Sequence, residues 1–263
     1  VAPSIRDAQP ADYPVFARLY PALGTPRPIL TAPQFAERML PNVVIAEEGA
    51  EPVGYSAWRL LGPTLHVAHV VVDAGARRRG VGRALLEEVR RRAVASACTH
   101  WSLDVVADNA PAIRLYERAG LLIERRGWSL LAAWSDLLAL PGSTGTRTFE
   151  PSTEQGVRFV ERHGRPREWF AHIRAKPGAI FVALRDDAGM CGLASFDLAF
   201  PGIQPIFVDR TEHARPIFDA LFPHAVEPRV EVWVDGDAAL AAMLQEAGAR
   251  LRLETLHMGA ALP

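Results

Sequence analysis

Cysteine is scarce in this chain of 263 residues: Cys98 and Cys191 stand alone, in unlike surroundings. Two thiols build neither a disulfide framework nor a cysteine zinc site, so a reducing compartment is the expectation. Long apolar runs are missing too. None reaches the ~18 residues needed to span a bilayer, and no membrane partner is expected. Val1–Asp12 has neither a basic n-region nor an apolar h-region, which reads as no signal peptide and a cytoplasmic protein. Nor does one sign of charge dominate. Lys and Arg number 29 against 30 Asp and Glu, a formal net charge of −1, so no global field draws in nucleic acid. What is present is ordinary for a globular chain: 49% hydrophobic and 22% charged residues, enough for one large core or two smaller ones.

Periodicity and turn formers divide the first half into the order β-α-α-β-β-β-α-β-α-β-β. A strand at 4–8 precedes helices over 10–23 and from Thr31. Strands follow at 43–48, 53–61 and 65–73, then a helix over 80–97. A strand at 101–107, a helix at 110–119 and strands at 121–126 and 128–132 complete it. Residues 137–145, ending Pro-Gly-Ser-Thr-Gly, read as a linker between domains at 1–136 and 146–263. The same order then returns, with helices at 155–163 and 166–175 and strands at 179–185, Cys191–Ala199 and 204–209. Glu117-Arg118-Ala119-Gly120 answers Gln245-Glu246-Ala247-Gly248, and Val71-Val72-Asp73 answers Phe207-Val208-Asp209.

The most informative segment runs from Val70-Val71-Val72-Asp73 through Arg77-Arg78-Arg79-Gly80-Val81-Gly82-Arg83. An apolar strand leads into a glycine-bearing turn that opens a helix. The first amides of that helix lack intrahelical acceptors and point outward along the positive end of its dipole. Gly80 and Gly82 let a ligand approach the backbone, and arginines can add charge-assisted bonds. Such a turn cradles a pyrophosphate. It is not a P-loop, because no Lys follows Gly82, and not a dinucleotide fingerprint, because position 85 is Leu. A nucleic-acid patch around Arg90-Arg91-Arg92 is interrupted by Glu87 and Glu88 and lacks a basic excess.

Arg77-x-x-Gly80-x-Gly82 resembles the cofactor motif of the GNAT superfamily, the Gcn5-related N-acetyltransferases. A second motif of that family reappears 27 residues on, as Asn109-x-x-Ala112-x-x-Leu115-Tyr116-x-x-x-Gly120-Leu121, with Leu where the family has Phe. The element order is also the family's. The resemblance implies an α/β fold of two tandem GNAT-like domains, each a central, mostly antiparallel mixed sheet flanked by helices. It implies acetyl-CoA as cosubstrate, with no metal. Backbone groups of Val70–Val72 would pair with the pantetheine arm. The turn Arg77, Arg78, Arg79, Gly80, Val81, Gly82 and Arg83 would hold the pyrophosphate, and Asn109 would touch the arm. The acceptor would be a primary amine of a small molecule or a peptide or amino-acid N-terminus, and the protein a monomer or homodimer. A non-catalytic acyl-CoA-binding module is the alternative.

By the same resemblance Tyr116 is the general acid for the departing thiolate. His66 is the candidate base: histidine's ordinary pKa of about 6.5 leaves it able to accept a proton at neutral pH. Simple alternation sets His69 on the opposite face, which a β-bulge in this strand would reverse. His66 and His69 have no joining carboxylate or cysteine in sequence, so no metal site is expected, and no Gly-x-Ser-x-Gly elbow suggests a serine hydrolase. In the second half an offset of 136 pairs Arg77 with His213, Gly80 with Pro216 and Gly82 with Phe218. An offset of 128 pairs Tyr116 with Leu244 and Asn109 with Asp237. The copy thus lacks the cradle and the acid, and a Phe218 ring is expected where phosphates would lie.

Overall fold

A computed structural model describes residues 3–24, 28–176, 178–198 and 202–263. They divide into two compact units. The first runs to Val105 and also takes Asn109–Leu122 and Met258–Pro263; the second takes Val106–Asp108 and Ile123–His257. This differs from a single cut at 137–145. That stretch opens with Leu137 and Leu140, both buried in the core of the second unit, so apolar burial anchors a segment whose turn formers alone suggest a linker.

In the first unit β1 (Ser4–Asp7), β2 (Val43–Glu48), β3 (Glu51–Leu61) and β4 (Thr64–Val72) pair antiparallel in succession, and β5 (His100–Val106) pairs parallel with β4. The helix expected over 10–23 is three pieces: a 3-10 turn at Pro10–Asp12, α1 (Tyr13–Leu19), and a 3-10 turn at Tyr20–Leu23. Pro14 is tolerated in the first turn of α1, whereas Pro21 withholds the amide that would continue the helix. α2 (Ala32–Arg38) starts on a capping box in which the Thr31 amide donates to Gln34 Oε1 at 3.0 Å. Both helices bury a phenylalanine completely, Phe16 and Phe35, with ring centroids 4.8 Å apart over Val43, Ile45, Tyr55 and Val71. α3 (Val81–Ala95) buries Val81, Leu85 and Val89 at a four-residue spacing, and α4 (Ala110–Arg118) follows β5.

The second unit repeats the plan. β6 (Leu122–Ala133) and the short α5 (Trp134–Leu137) precede β7 (Arg147–Phe149), α6 (Thr153–Arg162) and α7 (Arg167–Arg174). β8 (Ala179–Asp186), β9 (Gly189–Asp197) and β10 (Gly202–Val208) are antiparallel neighbours. After α8 (Ala214–Leu221), β11 (Arg229–Asp235) pairs parallel with β10 and antiparallel with β6. α9 (Ala238–Glu246) and β12 (Arg250–Ala261) complete the chain. The two strands expected at 121–126 and 128–132 are one. Gly127 does not break β6; a Cβ there would lie 2.7 Å from Thr255 Oγ1, so the glycine admits a neighbour instead. Of the strand expected at Cys191–Ala199, Ala199 lies outside the described residues. Each unit is therefore a mixed, mostly antiparallel sheet with flanking helices. No described helix is long and apolar enough to cross a membrane.

Candidate active site

β4 and β5 are in register over four pairs, Thr64↔His100 to Val67↔Leu103, and part beyond them. β4 itself continues to Val72, still paired with β3 as far as Gly54↔Val72. Its C-terminal half thus offers an edge with no β5 ladder, where peptide groups need other partners. Beyond β4 the chain turns on Asp73, whose Oδ1 accepts from the Gly75 amide at 3.1 Å. Arg78 (φ +62°) and Gly80 (φ +89°) are both left-handed, and Gly80 caps α3. Gly80 is therefore needed for its dihedral, since a Cβ there would meet nothing. Gly82 is needed for space: a Cβ there would sit 3.1 Å from Leu115 Cδ2 of α4.

Between this turn and α4 opens a cavity of about 1200 Å³. Val70, Val71, Val72, Arg77, Arg78, Gly80, Gly82, Arg83, Asn109 and Tyr116, all read from sequence, line it. Arg79 and Val81 do not. Arg79 turns to Glu48 at 2.7 Å, and Val81 is buried beneath the sheet as the first residue of α3. Asn109 caps α4, its Oδ1 accepting from the Ala112 amide at 3.3 Å. Tyr116 is nearly buried, and burial pushes its hydroxyl up to about 12, so it stays protonated across the working range.

His66 lies outside that lining. Its Nδ1 is 3.2 Å from Ser102 Oγ and its Nε2 3.6 Å from Asp104 Oδ2, so it bridges β4 to β5 where the strands part. The β3–β4 register slips between Ala57↔His69 and Trp58↔Val67, leaving Ala68 as an extra residue. Ala57 and Arg59 share a face of β3, and they oppose His69 and His66. The bulge therefore brings the two histidines to one face, against simple alternation. His69 Nδ1 lies 3.3 Å from the Tyr55 hydroxyl, and burial, followed by the nearby Arg59 cation, lowers its pKa to about 4. It is neutral at physiological pH.

Sequence reading missed Ser102, Asp104 and Tyr55, whose sheet register alone brings them to the histidines. It also missed Arg114 and Arg118, which line the cavity from α4. Their signal was present: both flank Tyr116 at a four-residue spacing within the second motif.

The second unit places Phe218 fully buried in its core, so the ring does not stand in a phosphate site as expected; the apolar face of α8 draws it inward. Asp186, Cys191 and His213 bring ligand atoms within 4.8 Å of one another. Arg210 Nε donates to His213 Nε2 at 3.3 Å, and Asp186 Oδ1 accepts from the Ala188 and Gly189 amides. Burial and then Asp186 push the Cys191 thiol up to about 11, so it stays protonated at neutral pH.

Residues 4–121 match the model of the acetyltransferase (GNAT) family. No curated protein matches the sequence. Among solved structures, a protein from Pyrococcus horikoshii proposed to be an acetyltransferase is similar over 100% of this chain and 90% of its own, at 16% identity and a TM-score of 0.70. A GCN5-related N-acetyltransferase from Sphaerobacter thermophilus is similar over 98% and 95%, at 17% identity and 0.63. A tandem GNAT protein from the clavulanic acid biosynthesis pathway aligns over 98% of both chains, at 18% identity and 0.63. Similarity at this level speaks to fold, and the family match speaks to residues 4–121, where both motifs and the cavity lie: that segment is similar to the GNAT acetyltransferases, within a chain that has the tandem GNAT fold.

Proposed function

We infer that the chain is an acetyl-CoA-dependent N-acetyltransferase acting on a primary amine of a small molecule or of a peptide or amino-acid N-terminus. The observation that carries this reading is the cavity where the glycine turn, the unladdered edge of β4 and the buried Tyr116 converge. The residues present suit the cofactor. Outward amides at the start of α3, with Arg77, Arg78 and Arg83, suit a pyrophosphate. The backbone of Val70–Val72 suits the amides of a pantetheine arm. The thioester brings an acetyl group already activated towards nucleophiles.

The rest of the chemistry falls to the chain's own side chains. His66 accepts the proton of the acceptor ammonium, directly or through water, and its dyad with Asp104 holds the ring at the strand gap. The amine nitrogen then bonds to the thioester carbonyl carbon and the carbon–sulfur bond breaks. The leaving sulfur is hydrogen-bonded by the Tyr116 hydroxyl and takes a proton through it, while the second proton shed by the new amide nitrogen restores the phenol, so that Tyr116 ends as it began. A phenol pushed up to about 12 is a weaker acid than a thiol, so Tyr116 acts chiefly by hydrogen bonding to the developing thiolate.

In this reading the first unit is the working domain and the second a degenerate copy. Calorimetry with acetyl-CoA tests it. One site per chain, with acetyl transfer to a member of an amine panel, is the expected result. Two sites of comparable affinity would contradict the degenerate copy. Tight binding without transfer to any amine would favour a sensing module.

A further inference from the structure

Five arginines line the cavity, Arg77, Arg78, Arg83, Arg114 and Arg118, and Glu87 is the one carboxylate among the described residues that do. Glu87 is already engaged, with Arg83 Nε at 2.7 Å. The pyrophosphate reading uses the turn before α3 and the start of that helix. It leaves Arg114 and Arg118, on the other wall of the cavity, without an anion. These two are exposed, and neither has a carboxylate partner among the described residues.

Nothing in the packing of α4 asks for them. Two like charges four residues apart repel on a helix surface. Arg118, in the last turn, gains something from the helix dipole, but Arg114 is too far from that end to do so. Two guanidinium groups a helical turn apart form a wide donor array suited to a tetrahedral dianion. Coenzyme A carries one phosphate outside its pyrophosphate, the monoester on the ribose 3′ oxygen. A phosphate monoester has a charge of about −1.5 to −2 at neutral pH.

We propose that Arg114 and Arg118 clamp the 3′-phosphate of coenzyme A, so that the protein selects coenzyme A over its 3′-dephospho form. This rests on the acyl-CoA reading above. No covalent step is involved; the arginines discriminate by binding alone.

The test is calorimetry on the full chain with acetyl-CoA and with 3′-dephospho-acetyl-CoA, for the parent and for Arg114→Gln with Arg118→Gln. The parent should bind acetyl-CoA about tenfold or more tightly than the dephospho form. In the double variant the two affinities should converge to within about twofold, with dephospho binding unchanged. Equal affinities in the parent would overturn the clamp while leaving the acyl-CoA reading standing. So would a ratio that survives the double substitution. Binding of neither compound would overturn both. The comparison within the parent needs no variant, so misfolding of the double variant could not shield the proposal.

Discussion

The two units keep the same scaffold and differ where a cofactor would lie. In the first, Arg18 of α1 ties the end of β4 to the start of β3, bonding Asp73 and, at 2.9 Å, the Pro52 carbonyl. In the second, Arg162 of α6 does the same between β10 and β9, to Asp209 at 2.9 Å and the Met190 carbonyl at 2.7 Å. Gly54 makes room for Val81 of α3 as Gly192 does for Ile217 of α8. Asn109 caps α4 and Asp237 caps α9 by the same bond to the third residue of the helix. All of these features hold the scaffold together, and all recur.

The differences gather at one place. β4 runs five residues past its last pair with β5, whereas β10 stays paired with β11 to Ile206↔Val234 and ends two residues later. The gap is open in one unit and nearly closed in the other. Where the first unit has the left-handed Gly80 and the space-making Gly82, α8 carries Pro216 and the core residue Phe218. Where it has Tyr116, α9 has the fully buried Leu244. The fold thus survives loss of the turn and the hydroxyl, which marks both as features kept for something other than folding.

The sharpest way to break the comparison is to damage the first unit as the second has diverged. Tyr116→Phe keeps the ring and removes only the hydroxyl. Turnover with a saturating amine should fall by about 10²-fold, the low end of the range for a general acid, with the cofactor dissociation constant little changed. Turnover within about a factor of two of the parent would make Tyr116 structural. Because its hydroxyl sits at about 12, no alkaline loss of rate from this group should appear below pH 11 or so. Gly82→Asp should raise the cofactor dissociation constant at least about tenfold in a soluble protein. It adds a Cβ 3.1 Å from Leu115 and a negative charge at the start of α3, beside the pyrophosphate site.

The second unit should answer in stability, not in binding. Phe218→Ala removes a fully buried ring and should cost about 3–5 kcal/mol in denaturant unfolding. The affinity of the remaining folded protein for acetyl-CoA should stay within about twofold of the parent. A large loss of affinity with little loss of stability would mean that this unit binds cofactor after all.

Much of this division was legible in the residues. Arg77-x-x-Gly80-x-Gly82 and the Asn109–Gly120 motif place the cavity because local sequence dictates a strand, a turn and a helix start. The offset comparison found Pro216, Phe218 and Leu244 for the same reason. Phe218 was located but misjudged, since which face of α8 is apolar matters more than where phosphates would sit. What stayed hidden depends on pairing across distance. Ala68 carries no sign that it is extra; only its partners Ala57 and Trp58 on β3 reveal the bulge. Ser102 and Asp104 join His66 through a parallel register that a crossover of some thirty residues sets. Unit membership was hidden likewise: Met258–Pro263 groups with the first unit from the far end of the chain.

The smallest effect expected concerns His69, which the bulge turns towards the α1 side of the sheet. Its pKa is held near 4 by burial and by Arg59, against about 6.5 for an unfolded histidine. The folded state therefore refuses a proton that the unfolded chain accepts. Above pH 6.5 neither state is charged and no cost arises. As the pH falls from about 6.5 towards 4 the unfolded state gains the proton, and stability drops by up to a few kcal/mol. Below 4 both states are protonated and the loss levels off. His69→Asn should remove that part of the slope, at the expense of some stability at neutral pH, because the Tyr55 hydroxyl loses its partner at 3.3 Å. Urea unfolding of parent and variant at pH 7.5, 6 and 5 reads the difference. Parallel losses in the two proteins would show that His69 already accepts its proton in the folded state.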